Sequence, residues 1–193
     1  MDTSTIIQLV VLIILLLLSA FFSSSETALT TVNKIKLRSL AEEGNKRAKM
    51  VLKVTDNPGK LLSTILIGNN IVNISASALA TTFTTQTLGS KFVGISTGIL
   101  TLLVLIFGEV TPKTLAAQYA LKLSMLFVYP IWILMIVLTP AVWLLNIMTG
   151  LIFKILRVDT SANNNVMTES ELRAVVNVSH EDGVIEPEEK FMI

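Results

Sequence analysis

The sequence predicts an all-α integral membrane protein, with about three transmembrane helices plus juxtamembrane or re-entrant helices, kinked at one proline-bearing stretch. Three observations carry that reading. Mean hydropathy is +0.70, and only 15% of the 193 residues are charged, which is the composition of a membrane protein. Apolar runs long enough to span a bilayer are separated by one polar, basic loop. The run GILTLLVLIFG ends in GEVTPK, Gly108 to Lys113, where Pro112 lacks the backbone donor a helix needs and predicts a kink or break.

The first apolar segment covers about Thr5 to Leu29. No basic n-region precedes it, since Asp2 is its only charged neighbour, so it reads as a retained span and not as a signal peptide. Asn33 to Lys60 follows, rich in Lys and Arg, with apolar residues spaced for one or two short amphipathic helices broken at Gly44. The positive-inside rule makes this loop cytoplasmic and the N-terminus external. Segment two, about Leu61 to Leu88, is unusually rich in Ser, Thr and Asn. A tight turn at Gly89 to Lys91 leads into segment three, about Phe92 to Val110, where Gly94 and Gly98 have the small-xxx-small spacing of closely packed helices. Segment four, about Leu126 to Phe153, contains Pro130 and Pro140, with Trp132 and Trp143 as candidate interfacial anchors.

These boundaries divide the chain into a membrane domain, 1–153, and a polar tail, 154–193. Thr168 to Glu171 reads as a capping box opening a short helix in that tail. The last residues, EEKFMI, carry no helix-end signal, which suggests that another domain follows. Four plain crossings would place the tail opposite the basic loop, yet Lys154 and Arg157 favour the same cytoplasmic side, so one late segment is expected not to cross fully.

Composition excludes several chemistries. The net charge is +1, which gives no support to a nucleic-acid partner. There is no cysteine, and the one histidine, His180, lies in the polar tail, so thiol catalysis, zinc thiolate sites and a Ser-His-Asp triad are ruled out within this sequence. Glu109 has no evident catalytic partner, and an enzyme is the weakest reading.

Polar groups inside apolar segments are costly in lipid and so mark interior surfaces or ion pathways. Glu109 stands out, because carbonyls freed by Pro112 would lie close to it, and a carboxylate beside unpaired carbonyls outlines a cation site. In segment two, Asn69 and Asn73 share a helix face that continues through Ser77 and Thr81, and Gly68 removes a side chain just before them. In SSSET, Ser23 and Thr27 share a face while Ser24 lies about 100° round the helix. The competing account is ordinary: Ser and Thr in membrane helices bond to their own carbonyls, and Glu26 reaches the cytoplasmic headgroups. An oxygen-only donor set suits hard cations such as Mg²⁺, Ca²⁺ or Na⁺.

Together FFSSSETAL (Phe21 to Leu29), IGNNIVN (Ile67 to Asn73) and IFGEVTPK (Ile106 to Lys113) resemble the CorC/CNNM family of magnesium transporters, as does the tail TESELRAVV…EDGVIEPEEKFMI, which is similar to the linker before that family's paired CBS modules. The resemblance covers nearly the whole chain. It implies a homodimer in the cell membrane that exports Mg²⁺, coupled to Na⁺ uptake, with three crossings plus juxtamembrane helices, and with ATP acting only through modules outside this sequence. It implies an ion site built from Ser23 or Ser24, the Gly68 carbonyl, Asn69, with Asn70 and Asn73 as further candidates, and Glu109. Two rivals stand beside it: a carrier for another hard cation, and a dimeric membrane anchor and sensor that transports nothing.

Overall fold

The computed structural model describes residues 3–156. The expected helix after Thr168 and the surroundings of His180 lie outside the described residues. All the regular structure in the described residues is helical: α1 (Thr3–Thr31), α2 (Lys34–Glu42), α3 (Lys46–Thr55), α4 (Pro58–Thr87), a 3₁₀ turn (Ser90–Phe92), α5 (Val93–Leu103), a π-helical stretch (Val104–Val110), α6 (Thr111–Gln118), α7 (Ala120–Val137) and α8 (Thr139–Ile155). Two compact units divide the chain, 1–146 and 147–193; the core and the candidate site belong to the first.

Three asparagines set the boundaries of the basic loop. Asn33 Oδ1 accepts from Lys36 N at 3.0 Å, Asn45 Oδ1 from Arg47 N and Ala48 N at 3.0 and 3.2 Å, and Asn57 Oδ1 from Lys60 N at 3.0 Å. Each satisfies a donor that the first helical turn leaves unpaired. Pro58 follows Asn57 at the start of α4, where its missing N–H costs nothing. Gly44, at φ +94°, makes the turn between α2 and α3 that the sequence predicts there.

Both loop helices press their apolar faces inward. Leu37, Ala41, Ala48, Val51 and Val54 are buried and join Phe22 and Leu29 of α1, Leu61 and Ile65 of α4, and Val128 and Ile131 of α7 in one core. The loop is therefore a packed platform against the ends of the long helices. Trp132 packs against this core, whereas Trp143 is exposed.

Four helical segments are long and apolar enough to cross a membrane: Thr3–Thr31, Pro58–Thr87, Ser90–Gln118 and Ala120–Val137. The expected fourth apolar segment is in fact two helices, α7 and α8, meeting at Leu138 just before Pro140. Segment three runs on past its expected end at Val110. The chain stays helical through Pro112, and the disturbance expected there appears one turn earlier as the π-helical stretch. A π turn leaves its backbone carbonyls spaced for a different register, and so carries the ladder across a residue that cannot donate.

Candidate cation site

α1 packs against α4, the π stretch, α6 and α7. Its serines are inside: Ser19, Ser23 and Ser25 are buried. Ser25 Oγ donates to its own helix at Phe21 O, 2.7 Å away, and needs nothing more. Ser19 Oγ donates to Asn69 Oδ1 of α4 at 3.4 Å. Ser24 Oγ reaches the carbonyl of Pro112 at 3.4 Å. Ser23 Oγ is buried with no hydrogen-bond partner among the described residues.

Asn73 lies one turn beyond Asn69 on α4. Its amide nitrogen donates to Glu109 Oε1 at 3.4 Å, and its carbonyl Oδ1 is buried without a partner. Two shielded, unpaired oxygens on facing helices are costly, at about 1–3 kcal/mol each. Buried polar atoms are otherwise nearly always paired, so such atoms ask for an explanation. Glu109, on the π stretch, is half-buried and is the carboxylate tied directly to this cluster.

Glycines let the elements meet. A Cβ on Gly68 would stand 2.4 Å from the Phe22 ring, and a Cβ on Gly108 would stand 2.9 Å from Ser19 Oγ. Neither position has room for a side chain, and both sit where α1 crosses a neighbour. Gly94 and Gly98 are the opposite case: a Cβ there meets nothing within 4 Å among the described residues. Their small-residue spacing packs no helix closely among the described residues.

The sequence-predicted residues thus fall into groups. Ser23, Asn73 and Glu109 supply the unpaired oxygens and the charge. Asn69 joins them through Ser19, and Gly68 lies beneath Phe22. Ser24 is half-buried and engaged with Pro112, and Asn70 is exposed. Ser77 and Thr81 leave the cluster: both are exposed along a groove of about 420 Å³ with Asn73, Ile74 and Ala78, and the Thr81 hydroxyl bonds back to Ser77 O at 2.9 Å. Sequence reasoning missed Ser19, Phe22 and Gly108. Ser19 was visible as the residue four before Ser23; the roles of the other two needed a neighbour. Glu26 is not merely a free interfacial acid, because Lys113 Nζ lies 3.2 Å from its carboxylate and ties α1 to α6. That pair is about two-fifths exposed and worth little by itself.

Among the described residues no group of three or more His, Cys, Asp or Glu could cage a metal. A divalent ion held here would be met by one carboxylate and neutral oxygens, which leaves part of its charge unneutralised.

A family model described as "Cyclin M transmembrane N-terminal domain" (CNNM) matches residues 10–189. The chain belongs to the CNNM family. It is 44% identical over 157 residues to a "UPF0053 protein" of Haemophilus influenzae, covering 81% of this chain and 37% of that protein. It is 41% identical over 156 residues to the "UPF0053 inner membrane protein YfjD" of Escherichia coli K12, covering 80% and 36%. A more distant relative, 29% identical over 183 residues and covering 88% of this chain and 42% of the other, is named "Polyamine export protein" in Haemophilus influenzae. The chain spans well under half the length of these relatives. Family and helices together make this a multi-pass membrane protein.

Proposed function

We infer that this chain is the membrane domain of a transporter that exports Mg²⁺ from the cytoplasm, coupled to Na⁺ uptake, and that it works as a homodimer without enzymatic activity. The observation that carries the reading is the contact of Asn73 with the Glu109 carboxylate, together with two buried oxygens left unpaired among the described residues, Asn73 Oδ1 and, on α1, Ser23 Oγ. Oxygen-only donors of this kind suit a hard cation, and Mg²⁺ asks for near-octahedral oxygens at about 2.0–2.1 Å while keeping part of its water. Glu109 supplies the charge, Asn73, Asn69 and Ser23 supply neutral oxygens, and the widened π backbone next to Glu109 lends its carbonyls. Na⁺ would take the same oxygens in the opposite direction. The basic loop and the C-terminal tail face the cytoplasm in this reading, and the N-terminus faces outward.

The name of the Haemophilus relative widens the cargo to be tested to organic polycations. Isothermal calorimetry on the purified chain, wild type against Glu109→Gln, separates the possibilities. The expected result is saturable Mg²⁺ binding that disappears in the variant and that Ca²⁺, Na⁺ and spermidine compete for only weakly. Tighter binding of one of those competitors would reassign the cargo. Folded wild type that binds no cation at all would leave the anchor-and-sensor rival.

A further inference from the structure

The basic platform has a feature that cation transport does not use. A recess of about 380 Å³ is lined by Lys34 and Arg38 of α2, by Leu52 and Thr55 of α3, and by Asp56 and Pro58 at the junction into α4. Lys34 and Arg38 are four residues apart on one helix face. Among the described residues the one ion pair is Glu26 with Lys113, so neither cation, nor Asp56, has an ion-pair partner among those residues. Between them on α2 stands Ile35, 80% exposed. An isoleucine so exposed on a charged platform has no packing partner among the described residues.

The covalent chain fixes where this recess lies. α1 ends at Thr31 and α2 begins at Lys34; α3 ends at Thr55 and α4 begins at Pro58. Every lining residue is therefore within a few residues of the end of a membrane-length helix or on a short helix packed against one. The platform cannot swing away, because Leu37 and Val51 anchor α2 and α3 in the core at 0% exposure. The recess sits at the membrane–water boundary, and Ile35 is placed to dip into lipid beside it.

We propose that this recess is a binding site for an anionic phospholipid whose headgroup carries hydroxyls, such as phosphatidylglycerol. The phosphate accepts from the Arg38 guanidinium and the Lys34 ammonium. The headgroup hydroxyls donate to the Asp56 carboxylate, which would repel a bare phosphate. Leu52, Pro58 and Ile35 meet the glycerol backbone and the first methylenes of the acyl chains. Basic residues at a cytoplasmic membrane surface attract anionic lipid generally; what is particular here is a recess whose lining combines one acceptor with two donors. The proposal does not depend on the cation site.

Native mass spectrometry of the purified full chain in uncharged detergent, with phosphatidylglycerol, phosphatidic acid and phosphatidylcholine offered in equal amounts, reads the site directly. Wild type is expected to retain phosphatidylglycerol over phosphatidylcholine by about tenfold or more. Lys34→Gln with Arg38→Gln should abolish that preference at unchanged helix content, while Lys46→Gln with Lys49→Gln, which removes the same charge elsewhere on the platform, should preserve it. Asp56→Asn should lose the preference for phosphatidylglycerol over phosphatidic acid. Should the paired recess variant misfold, Ile35→Ser touches no packing and should still weaken retention. Equal losses in the recess and control variants would overturn the proposal in favour of diffuse charge. Displacement of the lipid by millimolar inorganic phosphate would overturn it in favour of a soluble ligand, and an unchanged lipid ratio in Asp56→Asn would overturn the headgroup assignment.

Discussion

Along α1, the half from Ile6 to Leu18 is almost pure hydrocarbon and largely exposed, with Ile6 51%, Ile13 52% and Leu17 65% exposed, whereas the half from Ser19 to Thr31 carries the hydroxyls and is more closely packed, with Ser19 and Ser23 each 1% exposed. A soluble helix would be arranged the other way. Lipid tails are as apolar as leucine, so the outer half gains nothing by burial inside the chain. Hydroxyls are what lipid rejects, and the inner half turns them toward α4 and the π stretch. The difference teaches that the packed half of this helix is the one that carries hydroxyls, buried beside Phe22 and Leu29. The polar end of α1 is the interior of the protein, and Ser23 is there with a hydroxyl left over.

The contrast can be broken first at its tightest point. Gly68→Ala puts a methyl 2.4 Å from the Phe22 ring. Overpacking of this kind costs about 1–3 kcal/mol, read as a fall in the thermal midpoint in detergent. Phe22→Leu in the same chain should restore part of the loss, giving a clear interaction energy in the double-mutant cycle. Additive losses would show that the ring does not press on Gly68.

Ser23→Ala sharpens the comparison by separating stability from function. It removes a buried hydroxyl that has no partner, so the ion-free protein should gain about 1 kcal/mol or more. Its Mg²⁺ affinity should fall at least about tenfold, since even groups that only orient a metal ligand carry effects of that size. A variant that loses stability and keeps its affinity would show that Ser23 is structural.

Lys113→Met removes the exposed ion pair with Glu26. It should change stability by less than about 1 kcal/mol, and the change should shrink further in high salt. The smallest effect belongs to the outer half. Ile13→Ala, at a side chain about half exposed among the described residues, should stay within about 0.5 kcal/mol of wild type by thermal unfolding. A large loss there would mean that another surface, such as a second copy, covers this face.

Much of this was legible in the sequence, and for identifiable reasons. The long helices follow from apolar length, and the loop helices from the spacing of Ile35, Leu37, Leu40, Ala41, Ala48, Val51 and Leu52 around Gly44, although Ile35 is exposed and not on the packed face. Glu109 could be singled out because a carboxylate in a run of that hydropathy is conspicuous. Two things were illegible. The division of segment four at Leu138 depends on which of its two prolines ends a helix, and Pro130 sits inside α7 while Pro140 lies at the start of α8. The meaning of the glycines depends on what lies opposite them. Gly94 and Gly98 had the recognised spacing and are open, while the isolated Gly68 and Gly108 are the crowded ones. Periodicity reports the face on which a residue sits; it carries no information about the neighbour.

The π-helical stretch at Val104–Val110 has a mechanical consequence. Each wide turn holds nearly one residue more than an α turn, so the stretch behaves as slack wound into a rod. Drawing that slack in, or passing it along to the next turn, rotates whatever lies beyond it by about 100° for each residue of register. Glu109 sits within this stretch. Its carboxylate can therefore be turned from one side of the bundle to another by a change of winding, with no hinge opened and no helix broken.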